Sequence, residues 1–536
     1  MTSETATRRA TPPVGLRLVA SLLAVAFAFP AAYLVWRNIT EGSDPADALL
    51  SQQTLDPLLR TLQLAVLVSA AAMVLGTALA WLTTRTDLPF RRLWRVVLPI
   101  PLVFPTFIGA AAFIRSLNPG GLANDILVNI GVESTPELKG LFGSWLVLTL
   151  FTYPYVYLPV AARLRQLSAS LEENARVLGD SPHQTFWRIV VPQIASAVGA
   201  GTLLVFLYTL SDFGAVQLMR YDTLTRAIAS NQLSNRALAL ALSLILLVLA
   251  GLVVVAERIF SRRLPDATQR RGQRAVEYRL GAWRWPALGF VVFAAANSVG
   301  APMLAMIDWA SEGIRRATGG GRPLTIDADK VVEATANTVQ VSALSAIAAI
   351  ISVLPIALLV GRYRSRAGVW AHAVVISTFA LPGILIALSM RFWVLQSDIA
   401  FNLFNDTMAL LVFSYVVRFG SLAMGVALIA VRAVPTQLHD AARTLGARRA
   451  RRFGTVDLPL MAPGLLAGAG LVLLSVMKEL PIALYVSPIG FSTLTTRIFS
   501  AFEDAFVAEA GIMAVVLVSL SFVLSWFLVI RRAEHL

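Results

Sequence analysis

Few ionisable residues lie within or at the ends of long apolar runs in this sequence, and those few are where chemistry could occur. Asp212 closes an apolar run, the repeat register puts Glu479 opposite it in the other half with Lys478 beside it, and Arg418 falls near the middle of another run. A charge at mid-bilayer costs about 2.5–3.5 kcal/mol on insertion scales, so residues of this kind mark a pathway, a gate or a pairing partner. The chemistry available to them is electrostatic. Asp212 and Glu479 could line or gate the outer part of a path, with Lys478 or Arg418 offsetting their charge. The competing reading is a structural ion pair that positions the two runs.

Nucleophilic and metal chemistry find no matching set. Cysteine is absent, so there is no disulfide framework, thiolate metal site or cysteine nucleophile. The histidines, His183, His372, His439 and His535, are too scattered to form one metal site. Tyr153, Tyr155 and Tyr157 offer oxygen ligands in principle, but an aromatic cluster around Pro154 reads as helix packing. The lysines are Lys139, Lys330 and Lys478, none preceded by glycine, so the phosphate loop G-x-x-x-x-G-K-[ST] is missing. The glycines at 319–321 sit in a loop without the strand and helix that a phosphate cradle needs. No catalytic residue, metal ligand or cofactor is expected in this chain.

The elements that hold these residues must cross a membrane. Of 536 residues, 57% are hydrophobic and 14% charged, and the mean hydropathy is +0.70, outside the range of a soluble domain. A helix needs about 20 apolar residues to span the hydrocarbon core, and windows of that length predict about twelve spans. They fall near residues 15–36, 60–83, 93–114, 142–164, 193–214, 238–257, 284–307, 336–360, 370–391, 407–431, 462–485 and 510–530. The first run follows Arg8, Arg9 and Arg17 like a signal peptide, but its length and the spans after it favour a retained helix.

The net charge of +14 could suggest nucleic acid until its distribution is read. Arginines cluster after the second, fourth, sixth, eighth, tenth and twelfth spans, on the side of the N-terminus. By the positive-inside rule that side is the cytoplasm, with both termini there. The opposite loops mix acids, Gly, Asn and Pro with few bases. The basic character is therefore topology, and no nucleic-acid partner is expected.

The chain also repeats itself. RTLQLAVLVSAAAMVLG from Arg60 matches NTVQVSALSAIAAIISV from Asn337, and Pro105 meets Pro382 in the same register, an offset of 277 residues. Gly179 and Gly446, Phe186 and Phe453, and Pro192 and Pro459 hold at 267. The expected fold is therefore all-α and polytopic, with two pseudo-symmetric six-helix halves at 1–257 and 284–536. An Arg-rich cytoplasmic linker at 258–283 joins them. An even number of spans per half makes the repeats parallel, with a path between them.

Two polar stretches fall at matched places in the repeat: LEENARVLGDSPHQTFWRIVVP at 171–192 and LHDAARTLGARRARRFGTVDLP at 438–459. Ser170 with Glu173 reads as a capping box, followed by a short helix ending at Gly179 in a left-handed turn. Ser181 caps the next helix, with Pro182 at its first position. In the second copy Thr436 is the cap and Gly446 the stop. Pro192 and Pro459 read as span starts, where a missing N–H costs little. Each stretch is then a rigid elbow offering apolar residues to the cytoplasm: Val177, Leu178, Phe186 and Trp187 in one, Leu445 and Phe453 in the other. A single copy could equally be an interfacial helix lying on lipid.

Glu173, Asn174, Ala175, Gly179 and Pro192, and again Asp440, Ala441, Ala442, Gly446 and Pro459, resemble the EAA signature of permease subunits of bacterial ABC importers. That signature reads E-A-A-x-x-x-G followed by I-x-L-P. Asn174 replaces Ala, Asp440 replaces Glu and Val191 replaces Leu, mild departures that keep both elbows. The resemblance implies that each elbow, Phe186 and Phe453 included, couples to an ATP-hydrolysing subunit. One chain with two elbows would serve two copies of that ATPase, which would bind the ATP and Mg. It further implies an extracytoplasmic substrate-binding protein, alternating access between the halves, and a multi-pass place in the bacterial inner membrane, in contact with lipid.

A narrower resemblance rests on YTLSDFGAVQLMRYDTLTRAI from Tyr208, VMKELPIALYVSPIGFSTLTTRI from Val476, YPYVYLPVAARL from Tyr153 and YVVRFGSLAMG from Tyr415. These segments are similar to the fused permeases of ferric iron importers. Permeases for thiamine, polyamine or phosphonate share the architecture and remain alternatives. A proton-coupled secondary transporter would not need paired elbows, and no clustered carboxylates or histidines support a membrane enzyme.

Overall fold

A computed structural model of the chain describes residues 12–41, 51–117, 121–129, 131, 137–167, 169–262, 276–318 and 328–525. Linker residues 263–275, the glycines at 319–321 and His535 lie outside them. Among the described residues the structure is helical, and its one β feature is an isolated parallel bridge between Thr86 and Tyr278.

Ten helices are long and apolar enough to cross a membrane, and there are up to twelve if two bent pairs each count as one span. The straight spans expected at 93–114 and 370–391 are those bent pairs. Arg91–Val103 turns by 97° into Thr106–Leu117, and Arg366–Ala380 turns by 105° into Gly383–Gln396. The cause is proline. Phe104 and Leu381 precede Pro105 and Pro382 and are extended, with ψ of 134° and 115°, because a residue before proline is pushed out of the helical region. The second arm of each pair is deeply buried: every residue from 106 to 113 and from 383 to 390 is shielded.

Pro192 and Pro459 stand in the first turn of the α-helices Val191–Ser211 and Leu458–Val476, as expected. The helix nevertheless continues back without a break, to His183 in one copy and Ala450 in the other. A wider π-turn ends two residues before each proline, over Phe186–Val190 and Phe453–Asp457. The third π-turn, Ala296–Gly300, ends two residues before Pro302 in the same way. A proline inside a helix removes one backbone bond and crowds the carbonyl four residues back. A turn with one extra residue relieves that crowding without ending the helix.

The described residues gather into two compact units that do not follow the chain halves. One contains 41–325 and 498–518, the other 1–40, 326–497 and 519–536. Within the first, the long helix Gln52–Arg85 packs on Pro154–Gln166 and Val191–Ser211. Ala301–Thr318 also belongs there, its Trp309 buried with Ala111, Ala112 and Ala305. In the second, Ala328–Gly361 packs on Met408–Ala433 and Leu458–Val476. Val14–Glu41 joins that unit: Phe29 meets Trp393 at 5.0 Å and Tyr33 donates to Gln396 at 3.2 Å. Each unit thus takes its extra helix from the other sequence half. Both exchanged helices precede the repeated sequence, which starts at Arg60 and Asn337.

Candidate functional site

The first elbow opens with helix Ala169–Val177 and turns at Gly179, whose φ of +99° is open to glycine and strained for other residues. The Asp180 N–H bonds to the Ala175 carbonyl at 3.0 Å and the Gly179 N–H to that of Arg176, which satisfies the helix end. The second elbow repeats this bond for bond. Gly446 has φ +77°, the Ala447 N–H reaches the Ala442 carbonyl at 3.0 Å, and the Gly446 N–H reaches that of Arg443. Ser181 caps the next turn as expected: its hydroxyl accepts from the Gln184 N–H, while Gln184 Oε1 accepts from the Ser181 N–H. The expected caps do not precede their helices: Ser170 is the second residue of Ala169–Val177 and Thr436 is the first of Thr436–Thr444.

Around the first turn Glu173 and Asn174 face solvent while Ala175 is buried. Val177 and Leu178 are 85% and 87% exposed, and Leu445 is 86% exposed in the second copy. The side chain of Asp440 lies outside the described residues; Ala441 is exposed and Ala442 half-buried. Phe186 is turned inward, its ring 4.7 Å from that of Trp81, and Phe453 is half-buried. The most exposed apolar residues at the elbows are Val177, Leu178, Trp187 and Leu445, with Leu171, Leu438 and Leu458 exposed to a lesser degree and the phenylalanines set behind them.

Two arginines matched by the repeat, Arg85 and Arg362, fasten the elbows to the long helices. The buried Arg85 pairs with Glu172 and donates to the Leu164 carbonyl at 3.2 Å. Tyr278, from the described C-terminal part of the linker, completes this anchor. Its hydroxyl donates to Glu172 at 2.7 Å, its N–H bonds to the Arg85 carbonyl at 2.8 Å, and its ring lies under Arg176 and 5.0 Å from Trp81. Burial, and next the adjoining carboxylate, push this phenol above its usual range, so it remains a protonated donor. In the other half Arg362 binds Asp457 at 2.9 Å and 3.4 Å. The acid there comes from the π-turn instead of the first elbow helix. Sequence reasoning missed these anchors, although Arg85 and Arg362 could be seen to coincide at the 277 offset.

The two buried acids occupy one structural role. Asp212 Oδ1 accepts from the Ala215 N–H at 3.0 Å, capping the short helix Gly214–Leu218, and Oδ2 accepts from the Thr106 hydroxyl at 2.6 Å. Glu479 Oε2 accepts from the Ile482 N–H at 2.8 Å at the start of Pro481–Val486. Ile482 matches Ala215 in the 267 register. Where Thr106 stands in one half the other has Gly383, and a Cβ added there would overlap Glu479 Oε1. The acid that is longer by one methylene thus faces the position that lacks a side chain.

The chain beyond each cap is also fastened alike. Thr225 donates to the Asp212 carbonyl at 2.7 Å and Thr495 to that of Glu479 at 3.2 Å. The Leu224 and Leu494 N–H groups both bond, at 2.8 Å, to the hydroxyls of the matched Thr61 and Thr338. Arg418 donates to the carbonyls of Phe379 and Leu381 at the second bend and acts on Glu479 through space. Lys478 is half-buried beside it. Tyr153 and Tyr157 direct their hydroxyls to the Leu98 carbonyl and to Thr83, and Tyr155 packs on Tyr208, as packing residues do.

Comparison with known proteins agrees with this geometry. Residues 72–265 and 353–534 match the family described as binding-protein-dependent transport system inner membrane component. The chain is 28% identical over 516 residues to the Fe(3+)-transport system permease protein FbpB 2 of Haemophilus influenzae, covering 95% of this chain and 97% of that protein. It is 30% identical over 187 residues to the inner membrane ABC transporter permease protein YdcU of Escherichia coli, covering 32% of this chain and 59% of that one. It is 27% identical over 226 residues to the molybdenum transport system permease protein ModB of Mycobacterium bovis, covering 41% and 81%. Two family segments, each containing one elbow and one capped turn, lie in a single polypeptide. The chain belongs to the inner membrane components of binding-protein-dependent transport systems, and is an ABC importer permease with two fused repeats.

Proposed function

We propose that this multi-pass inner-membrane permease imports ferric iron, and that each elbow is the seat of one ATPase subunit. The observation that carries the substrate is similarity to a Fe(3+) permease along almost the full length of both chains. Relatives named for molybdenum and 2-aminoethylphosphonate match less than half of this chain. Support for the elbows is their bond-for-bond repetition, with Val177, Leu178 and Leu445 exposed at the turns. Glu173, Asn174, Ala175 and Gly179, with Asp440, Ala441, Ala442 and Gly446, form the contact stretches; Phe186, Phe453, Pro192 and Pro459 set their angle. A partner subunit supplies ATP hydrolysis, and an extracytoplasmic binding protein delivers the substrate. The termini lie with the elbows on the cytoplasmic side.

For Asp212 and Glu479 the capping geometry supports the bracing role, with Arg418 holding the second bend. The test of the substrate is uptake of labelled ferric iron into proteoliposomes holding this chain, its ATPase and its binding protein. ATP-dependent iron uptake supports the reading. Molybdate or phosphonate uptake without iron uptake would keep the permease and reject iron.

A further inference from the structure

We propose that a cavity of about 500 Å³ at the elbow ends of helices Ala328–Gly361 and Met408–Ala433 binds the phosphate of an anionic lipid headgroup. Its walls combine Val360, Val431 and Val434 with Arg362, Arg364 and Arg432.

The repeat shows what belongs in such a place. In the matched registers Arg362 corresponds to Arg85, Arg364 to Asp87, Val431 to Leu164 and Arg432 to Arg165. In the first half the chain itself fills this seat. Glu172 neutralises Arg85, Tyr278 bonds along the backbone of Arg85 and Asp87, and the Leu280 N–H donates to Asp87 Oδ1 at 2.8 Å. In the second half Asp457 neutralises Arg362, and among the described residues no segment takes the place of Tyr278.

The chemistry of the seat is inverted. Asp87 accepts a hydrogen bond, whereas Arg364 at the matched position can only donate. Neither Arg364 nor Arg432 has an ion-pair or hydrogen-bond partner among the described residues. Two such guanidiniums call for an anion with several acceptor oxygens. The walls lie in and just after the last turns of two helices long and apolar enough to cross a membrane, where a span would meet the headgroups, and no residue of the elbow tip around Leu445 lines them. The valines supply the apolar side that a lipid requires and a soluble anion does not. Basic pockets between spans on the cytoplasmic side suit anionic headgroups.

The test is native mass spectrometry of the full chain in detergent with phosphatidylcholine and phosphatidylglycerol. The wild type is expected to retain one more phosphatidylglycerol than Arg364→Ala/Arg432→Ala. Titration should show binding about twenty-five-fold weaker in the variant, from about fivefold per arginine. Arg364→Lys/Arg432→Lys keeps the charge and should keep the lipid. If the double alanine variant fails to fold, Arg364→Gln alone should show the fivefold loss. Equal retention in wild type and variant would overturn the proposal. So would displacement of the lipid by millimolar inorganic phosphate, or unchanged lipid with lost ATPase binding, which would assign the seat to a free ion or to a protein segment.

Discussion

Replacing Gly383 by alanine tests the pairing of residue size across the repeat. The new Cβ would occupy the place of Glu479 Oε1, so the carboxylate must swing away from the Ile482 N–H that it accepts at 2.8 Å. Losing a buried hydrogen bond to a charged group costs about 1.5–3 kcal/mol, and overpacking adds about 1–3 kcal/mol. A total of about 3–5 kcal/mol is expected. At about 2 °C per kcal/mol for a large chain, melting should fall on the order of 6–10 °C. Glu479→Asp shortens the acid and should restore much of this in the double variant, because the first half already pairs the shorter Asp212 with Thr106, which has a Cβ. A coupling of about 2 kcal/mol between the sites is expected. Melting of the four proteins in nanodiscs measures it. A neutral Gly383→Ala, or a double variant no better than Gly383→Ala alone, would refute the reasoning.

A Cβ added at Gly179 or Gly446 meets no atom within 4 Å, so the cost of Gly179→Val and Gly446→Val starts from the left-handed backbone, about 1–2 kcal/mol each; melting should shift little while co-purification of the ATPase falls. Glu172→Gln leaves Arg85 buried without a counter-charge and should cost about 3–5 kcal/mol, whereas Tyr278→Phe removes one neutral donor and should cost about 1–3 kcal/mol; thermal melting ranks the two. Pro192→Ala lets the π-turn relax to an α-turn, which rotates the elbow by about 100° relative to its span, so coupled ATP hydrolysis should drop while melting holds. Asp212→Asn and Glu479→Gln keep an acceptor for the capped N–H and should fold and transport normally; loss of uptake in folded protein would show that their charge serves the pathway.

The spans, the repeat and both elbow turns could be read from the sequence because each has a local cause. Apolar length sets the spans, and a glycine between short polar helices sets the turn. The bends at Pro105 and Pro382 and the π-turns before Pro192, Pro302 and Pro459 were harder, because proline can end, kink or widen a helix and the sequence does not say which. The anchors needed tertiary contacts: Glu172 adjoins the motif residue Glu173, yet only packing shows that the first is buried on Arg85 and the second faces solvent. Tyr278 reaches the elbow from about a hundred residues away, beyond any periodicity. The pairing of Thr106 with Asp212 and Gly383 with Glu479 was visible in the two registers once the acids were known to cap turns. The exchange of the helices before Arg60 and Asn337 left no trace in the repeat, since both lie outside it.

The central claim is that one chain carries two elbows, each of which seats one ATPase subunit. The mass of the purified complex tests this most directly, with native mass spectrometry counting the subunits. The account predicts two ATPase copies per chain, with Gly179→Val or Gly446→Val each weakening one seat. One ATPase per chain, or a complex with two copies of this chain, would contradict it.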